Sequence, residues 1–193
     1  MSFKGWKYIK FLLKATNQHG VHSPFVYDLV TKCFYDKAWY GDYKELEIIR
    51  KDNLSKKKSR LLYRVVKYFK PNSVVVFGKK KDAINNTILL AKPEAKIMNE
   101  DDWPDYEVVK PFDIVYFNSA DKADYLKALV YLLETTTKDT VWIFNNIHRS
   151  EDFSEVWKTI KRHKSVRMTI DLFFWGMVFF RREQAKEHFR IRV

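Results

Sequence analysis

A chain of 193 residues with 46% hydrophobic and 17% aromatic content is long enough for one sizeable core and too apolar for intrinsic disorder. No apolar run reaches the roughly 18 residues of a bilayer span, lysines at 4, 7, 10 and 14 interrupt any signal-peptide core, and one cysteine, Cys33, excludes an internal disulfide and points to a reducing cytoplasm. The net charge of +12, from 36 basic and 24 acidic residues, is spread along the chain, which permits an anionic ligand or surface, nucleic acid included, without requiring one.

The first predicted element is an amphipathic helix over residues 3–16. Phe3, Trp6, Ile9 and Leu13 recur at helical spacing beside a stripe of lysines. Such a stripe lies on a membrane surface or docks on its own domain, and docking is the reading favoured here. Residues 17–24 are a turn-rich connector in which Ser23 suits an N-cap and Pro24 a first helical position. His19 and His22 stand three apart with no Cys, Asp or Glu to complete a metal site, so both are read as structural. In the next helix Val26, Leu29, Val30, Cys33 and Phe34 share one face. An aromatic loop (35–43), a helix (44–51), a polar linker (53–59) and a helical stripe of Leu61, Leu62, Val65, Val66 and Phe69 follow, up to Pro71. Residues 1–70 therefore read as a helical extension packed on a core formed by 71–193.

Residues 73–77 form a β-branched run between Pro71-Asn72 and Gly78, which predicts a buried central strand, and 83–91 predicts a helix behind it. Strand, glycine turn and helix make the usual cradle for a nucleotide-like cofactor. This turn, however, holds one glycine followed by Lys79, Lys80 and Lys81. Strands are predicted at 95–98, 112–117, 140–144, 166–171 and 177–181. The helix from 121 is expected to face inward with Leu126, Leu129, Val130 and Leu133. The helix from 150 is expected to do so with Phe153, Val156, Trp157 and Ile160. Alternating strands and helices predict an α/β fold, a mostly parallel sheet covered on both faces and closed by an antiparallel hairpin through Phe174-Trp-Gly176.

The order of elements resembles a class I S-adenosylmethionine-dependent methyltransferase, and more narrowly a bacterial group of O-methyltransferase-like proteins. The resemblance rests on His19-Gly-Val-His-Ser-Pro-Phe25, Leu61-Leu-Tyr-Arg-Val-Val66, Phe112-Asp-Ile-Val-Tyr-Phe117, Ile147-His148, the run from Thr169 to Arg181, and Glu183-Gln-Ala-Lys-Glu-His-Phe189. It implies a Rossmann-like methyltransferase fold with S-adenosylmethionine as cofactor. It also implies cofactor-binding positions at Gly78, at Asp101 (or its neighbour Glu100) and at Asn118. Related enzymes hold a divalent cation at the positions of Asn118, Asn145 and Asn146, and His148 follows as a candidate base.

The chemistry positions depart from that pattern in three ways. The strand before the glycine turn ends without its acid, at Val76, and Asp82 stands where a second glycine belongs. Only residues 99–111 separate two strands, too few for a crossover helix and another strand. Neutral amides also occupy all three metal-ligand positions, and hard cations require charged oxygen ligands. The expectation is a methyltransferase-like protein with a site shortened by one crossover. Methyl transfer is expected to be lost or greatly reduced, S-adenosylmethionine poorly accommodated and no metal bound, with a binding or structural role in their place. The alternatives are an active, divergent O-methyltransferase for a small or lipid-like hydroxyl acceptor, and a module that binds nucleic acid or an anionic surface through Trp6, Tyr8 and Trp39. The sequence leaves oligomerisation open.

Overall fold

The computed structural model describes residues 3–50, 54–100, 111–119, 121–183 and 185–193, with backbone alone at 127–129. Its strands are β1 (Ser73–Phe77), β2 (Lys96–Asn99), β3 (Ile114–Phe117), β4 (Val141–Asn145), β5 (Met168–Asp171), β6 (Trp175–Phe179) and β7 (Glu187–Arg190). They form one sheet in the order β2-β1-β3-β4-β6-β5-β7. Only β6 runs against its neighbours, pairing antiparallel with β4 and β5. The expected mostly parallel α/β sheet with an antiparallel hairpin is therefore present. In the described sheet β1 lies between β2 and β3, and residues 101–110, including Asp101, lie outside the described residues.

The helices are α1 (Phe3–Lys14), α2 (Pro24–Leu29), α3 (Tyr43–Arg50), α4 (Lys56–Phe69), α5 (Asp82–Ala91), α6 (Lys122–Leu132) and α7 (Glu151–Arg162). The sheet's period of two sorts its side chains between two layers. Val74, Val76, Tyr116 and Ile143 pack with α2, α4 and α5, through residues such as Leu29, Leu62, Val66 and Ile88. Val75, Val115, Phe117, Trp142 and Phe144 pack with α6 and α7, through Tyr125, Leu132, Trp157 and Ile160. Helices on both faces explain why the central strands read as continuous apolar runs.

Several expectations are corrected. The polar linker over 53–59 is in part helix, since Ser55 caps α4 by accepting a hydrogen bond from Lys58 N–H, and α4 starts at Lys56. The face of α6 is shifted. Tyr125 and Leu132 are buried while Leu126 and Val130 are exposed, because apolar residues surround this helix and periodicity alone does not set its phase. Leu133 packs against the core as expected, and the side chain of Leu129 lies outside the described residues. Strand β7 was not anticipated. It pairs parallel with β5 with alternate residues half-buried, a weak signal in a charged segment. Trp175 and Gly176 belong to β6 rather than to the connection, and a Cβ on Gly176 would lie 2.7 Å from the Trp157 ring.

One arginine joins the N-terminal helices to each other. After α2 the chain continues as a π-helical turn, Val30–Phe34, whose last carbonyls, as at any helix end, have no donor within the helix. Arg64 of α4 donates Nε to the Cys33 carbonyl at 2.8 Å, Nη2 to the Phe34 carbonyl at 3.1 Å and Nη1 to the Tyr43 hydroxyl at 3.3 Å. Replacing Arg64 with Leu strands those acceptors in a buried setting. It is expected to cost about 1–3 kcal/mol, read as a lower midpoint in urea denaturation with an unchanged slope.

Candidate functional site

Ligands on open α/β sheets bind beyond the C-terminal ends of the parallel strands. Here those ends carry Gly78 after β1, Glu100 after β2, Asn118 after β3 and the pair Asn145-Asn146 at the end of β4. Gly78 has φ +97°, and a Cβ there would sit 2.6 Å from the Asn118 carbonyl carbon and the Ser119 nitrogen. Only glycine fits, because the turn is left-handed and pressed onto the backbone after β3. Gly78 N–H donates to Glu100 Oε2 at 2.9 Å, so this donor of the turn is engaged by the chain's own carboxylate. Of the two acids proposed at the end of β2, Glu100 lies at the turn, and Asp101 falls outside the described residues. The side chains of Lys79 and Lys80 are exposed, so they bring charge to the rim rather than bulk to the interior.

Side-chain hydrogen bonds bring Asn118, Asn145 and Asn146 together, and a residue that the sequence pattern does not single out joins them. Lys58, in the first turn of α4, donates its ammonium to Asn145 Oδ1 at 2.7 Å and to Asn146 Oδ1 at 2.8 Å. Asn145 Nδ2 donates to Asn118 Oδ1 at 2.7 Å, and Asn118 Nδ2 donates to the Lys79 carbonyl at 2.8 Å. Because an ammonium only donates, it fixes the orientation of both amides it touches and hence the direction of the whole chain of bonds. Asn146 reaches its position with φ +56°, in the left-handed region that asparagine tolerates better than most residues. Tyr125 hydroxyl lies 3.1 Å from the Asn145 carbonyl and 3.3 Å from that of Ser119, tying the loops after β3 and β4 together. The Phe174 ring lies 5.7 Å from the Lys58 ammonium.

These residues do not fit a divalent metal. An ammonium already sits against two of the three positions that would ligate it. A second cation about 4 Å away meets a repulsion of about 4 kcal/mol per unit of charge at an effective dielectric constant near 20, with no carboxylate in the triad to offset it. Among the described residues, no three of His, Cys, Asp and Glu gather as a metal site.

His148 is oriented but closed. Its Nε2 lies 2.8 Å from Asp171 Oδ2, and Asp171 Oδ1 accepts the Phe173 N–H at 2.8 Å. The imidazole stacks on Phe173, which in turn receives Tyr8 and Phe11 of α1 at 4.7 and 5.5 Å. The remaining ring nitrogen, Nδ1, is buried without a partner among the described residues. A general base must reach the proton it removes, and in this arrangement one nitrogen is engaged and the other covered. His19 and His22 lie in the connector before α2, where the Asn17 side chain accepts from His19 N–H at 3.0 Å.

Neither a family model nor a curated protein matches the chain, but solved structures do. A methyltransferase from Podospora anserina with bound S-adenosylhomocysteine superposes with a TM-score of 0.56 at 6% identity, over 83% of this chain and 97% of that one. A methyltransferase from Geobacter sulfurreducens superposes with a TM-score of 0.51 at 15% identity, over 76% and 92%. The cofactor-bound protein Rv0187 from MTB gives 0.52 at 12%, over 72% and 87%. The chain therefore has the Rossmann-like fold of these structures, two of which are methyltransferases, as the resemblance in its sequence implied.

Burial, reinforced by the charge of Lys4, lowers the Lys58 pKa from 10.5 to about 8. The unfolded chain then holds more protons than the folded one between those values, so stability rises with pH through that window and the penalty of charging Lys58 is complete below it. The stability of the native protein relative to Lys58→Met is expected to climb as pH is raised from about 8 towards 10.5. Denaturation midpoints of the two proteins across that range check this, and parallel curves would contradict it.

Proposed function

We propose that the protein is a methyltransferase-fold protein with little or no methyl transfer, acting as a binding or structural module. The observation that carries this reading is the Lys58 ammonium lodged between Asn145 Oδ1 and Asn146 Oδ1, where catalysis of the O-methyltransferase kind would place a cation and an acceptor hydroxyl. Three further features support it. Asn118 supplies an amide in place of a charged ligand and is bonded within the chain on both sides. The Gly78 N–H is taken by Glu100. His148 has no ring nitrogen open to an acceptor. Catalysis requires groups better matched to the transition state than to the resting site, and the Lys58 ammonium, the three amides and the Gly78 N–H are already bonded to one another or to Glu100 and Lys79 at rest.

Retention of the glycine turn follows from its packing. Gly78 is demanded by the contact with Asn118 and Ser119 whether or not a cofactor binds. The turn, Lys58 and the amides then hold the ends of β1, β3 and β4 in register. Isothermal titration calorimetry with S-adenosylmethionine and S-adenosylhomocysteine is expected to give no saturable heat at micromolar ligand. Binding of either at micromolar concentration would overturn the proposal in favour of an active, divergent methyltransferase.

A further inference from the structure

Helix α1 was expected to dock through the stripe of Phe3, Trp6, Ile9 and Leu13, but it docks through another face. Phe11 is the buried residue of the helix, and Phe11 and Tyr8 meet Phe173 over the His148–Asp171 pair. At 100° per residue this turns Trp6, Ile9 and Leu13 outward as one contiguous arc. Trp6 is 51% exposed, Ile9 40% and Leu13 81%. Three aliphatic and aromatic residues on one exposed stripe of a docked helix are not explained by the core. Lys10 and Lys14 run along one side of the stripe, and the Lys10 ammonium lies 4.7 Å from the Trp6 ring. The helix contains no acidic residue.

We propose that the outward face of α1 is a docking surface for an anionic lipid bilayer, on which the helix lies parallel to the membrane plane. Trp6, Ile9 and Leu13 enter the boundary between headgroups and acyl chains while Lys10 and Lys14 meet the lipid phosphates. A helix of 12 residues is too short to span a bilayer but suited to lie in its interface. The charge pattern selects this occupant over two others. A second copy docked through the same face would bring like-charged lysine rows together with no acid on the helix to pair with them. Nucleic acid rewards the lysines and Trp6 but gains little from Ile9 and Leu13. This surface is independent of the site at the strand ends and stands whether or not methyl transfer occurs.

Co-sedimentation of the full chain with vesicles tests it, using phosphatidylcholine alone and phosphatidylcholine mixed with phosphatidylglycerol. Binding is expected to the mixed vesicles, at least about tenfold tighter than to neutral ones and weakening with added salt. Trp6→Ser with Leu13→Ser removes two exposed side chains, so thermal midpoint and circular dichroism should be unchanged while vesicle affinity falls at least about tenfold. Lys10→Gln should lower it about fivefold at low salt. Absence of binding to the mixed vesicles overturns the proposal, as does equal binding by the double serine variant, which would place the contact elsewhere on this basic chain. A dimer, or a complex with nucleic acid, that the double variant abolishes while vesicle binding persists would also overturn it.

Discussion

The Lys58 ammonium, held between the side-chain oxygens of Asn145 and Asn146, is the contact on which the upper edge of the sheet depends. Placing a cation there links α4 to the end of β4, and the amide chain carries the link onward through Asn118 to the turn after β1. Each bond in that chain has one allowed direction, because the ammonium only donates and each amide that accepts with oxygen must donate with nitrogen. Carboxylates at 118 and 145 would have no proton to pass along and would break it. The asparagines and the lysine therefore make chemical sense as a set. A positive charge supplied by the chain suits neutral ligands, whereas an exchangeable divalent ion requires charged ones. The cost is a partly buried ammonium, visible in the lowered pKa of Lys58.

Around this centre the packing closes the remaining openings. Glu100 caps the glycine turn, Tyr125 joins the loops after β3 and β4, and the His148–Asp171 pair is covered by Phe173 with Tyr8 and Phe11 of α1. Helix α1 thus seals one side of the site with its inner face and leaves its outer, basic and apolar face to solvent. The same short helix contributes to both features because a docked helix has two faces and its composition is apolar on both.

Where periodicity was strong, the fold was legible in the sequence. The buried run of β1, the inward face of α7 and the N-cap Ser23 lie where hydrophobic pattern and capping chemistry place them. Reading failed where pattern is ambiguous. The phase of α6 was misjudged because apolar residues surround the helix, and β7 was missed because half of it is polar. The convergence of Asn118, Asn145 and Asn146 was legible from resemblance alone. Lys58 was not, since it sits in a run of three lysines that reads as solvent-exposed linker and lies 87 residues from Asn145 in the chain. Nothing local distinguishes a lysine that turns inward from its two neighbours, and only the tertiary position of α4 does so.

The central claim is that the protein's own ammonium occupies the position of a cation. Its most direct test is a crystal structure at high resolution from crystals soaked in millimolar Mn²⁺, with anomalous scattering recorded at the Asn145–Asn146 pair. The account predicts no anomalous peak there and continuous density for Lys58 ending between the two amide oxygens. A manganese peak on Asn118, Asn145 and Asn146, with Lys58 swung out to solvent, would contradict it.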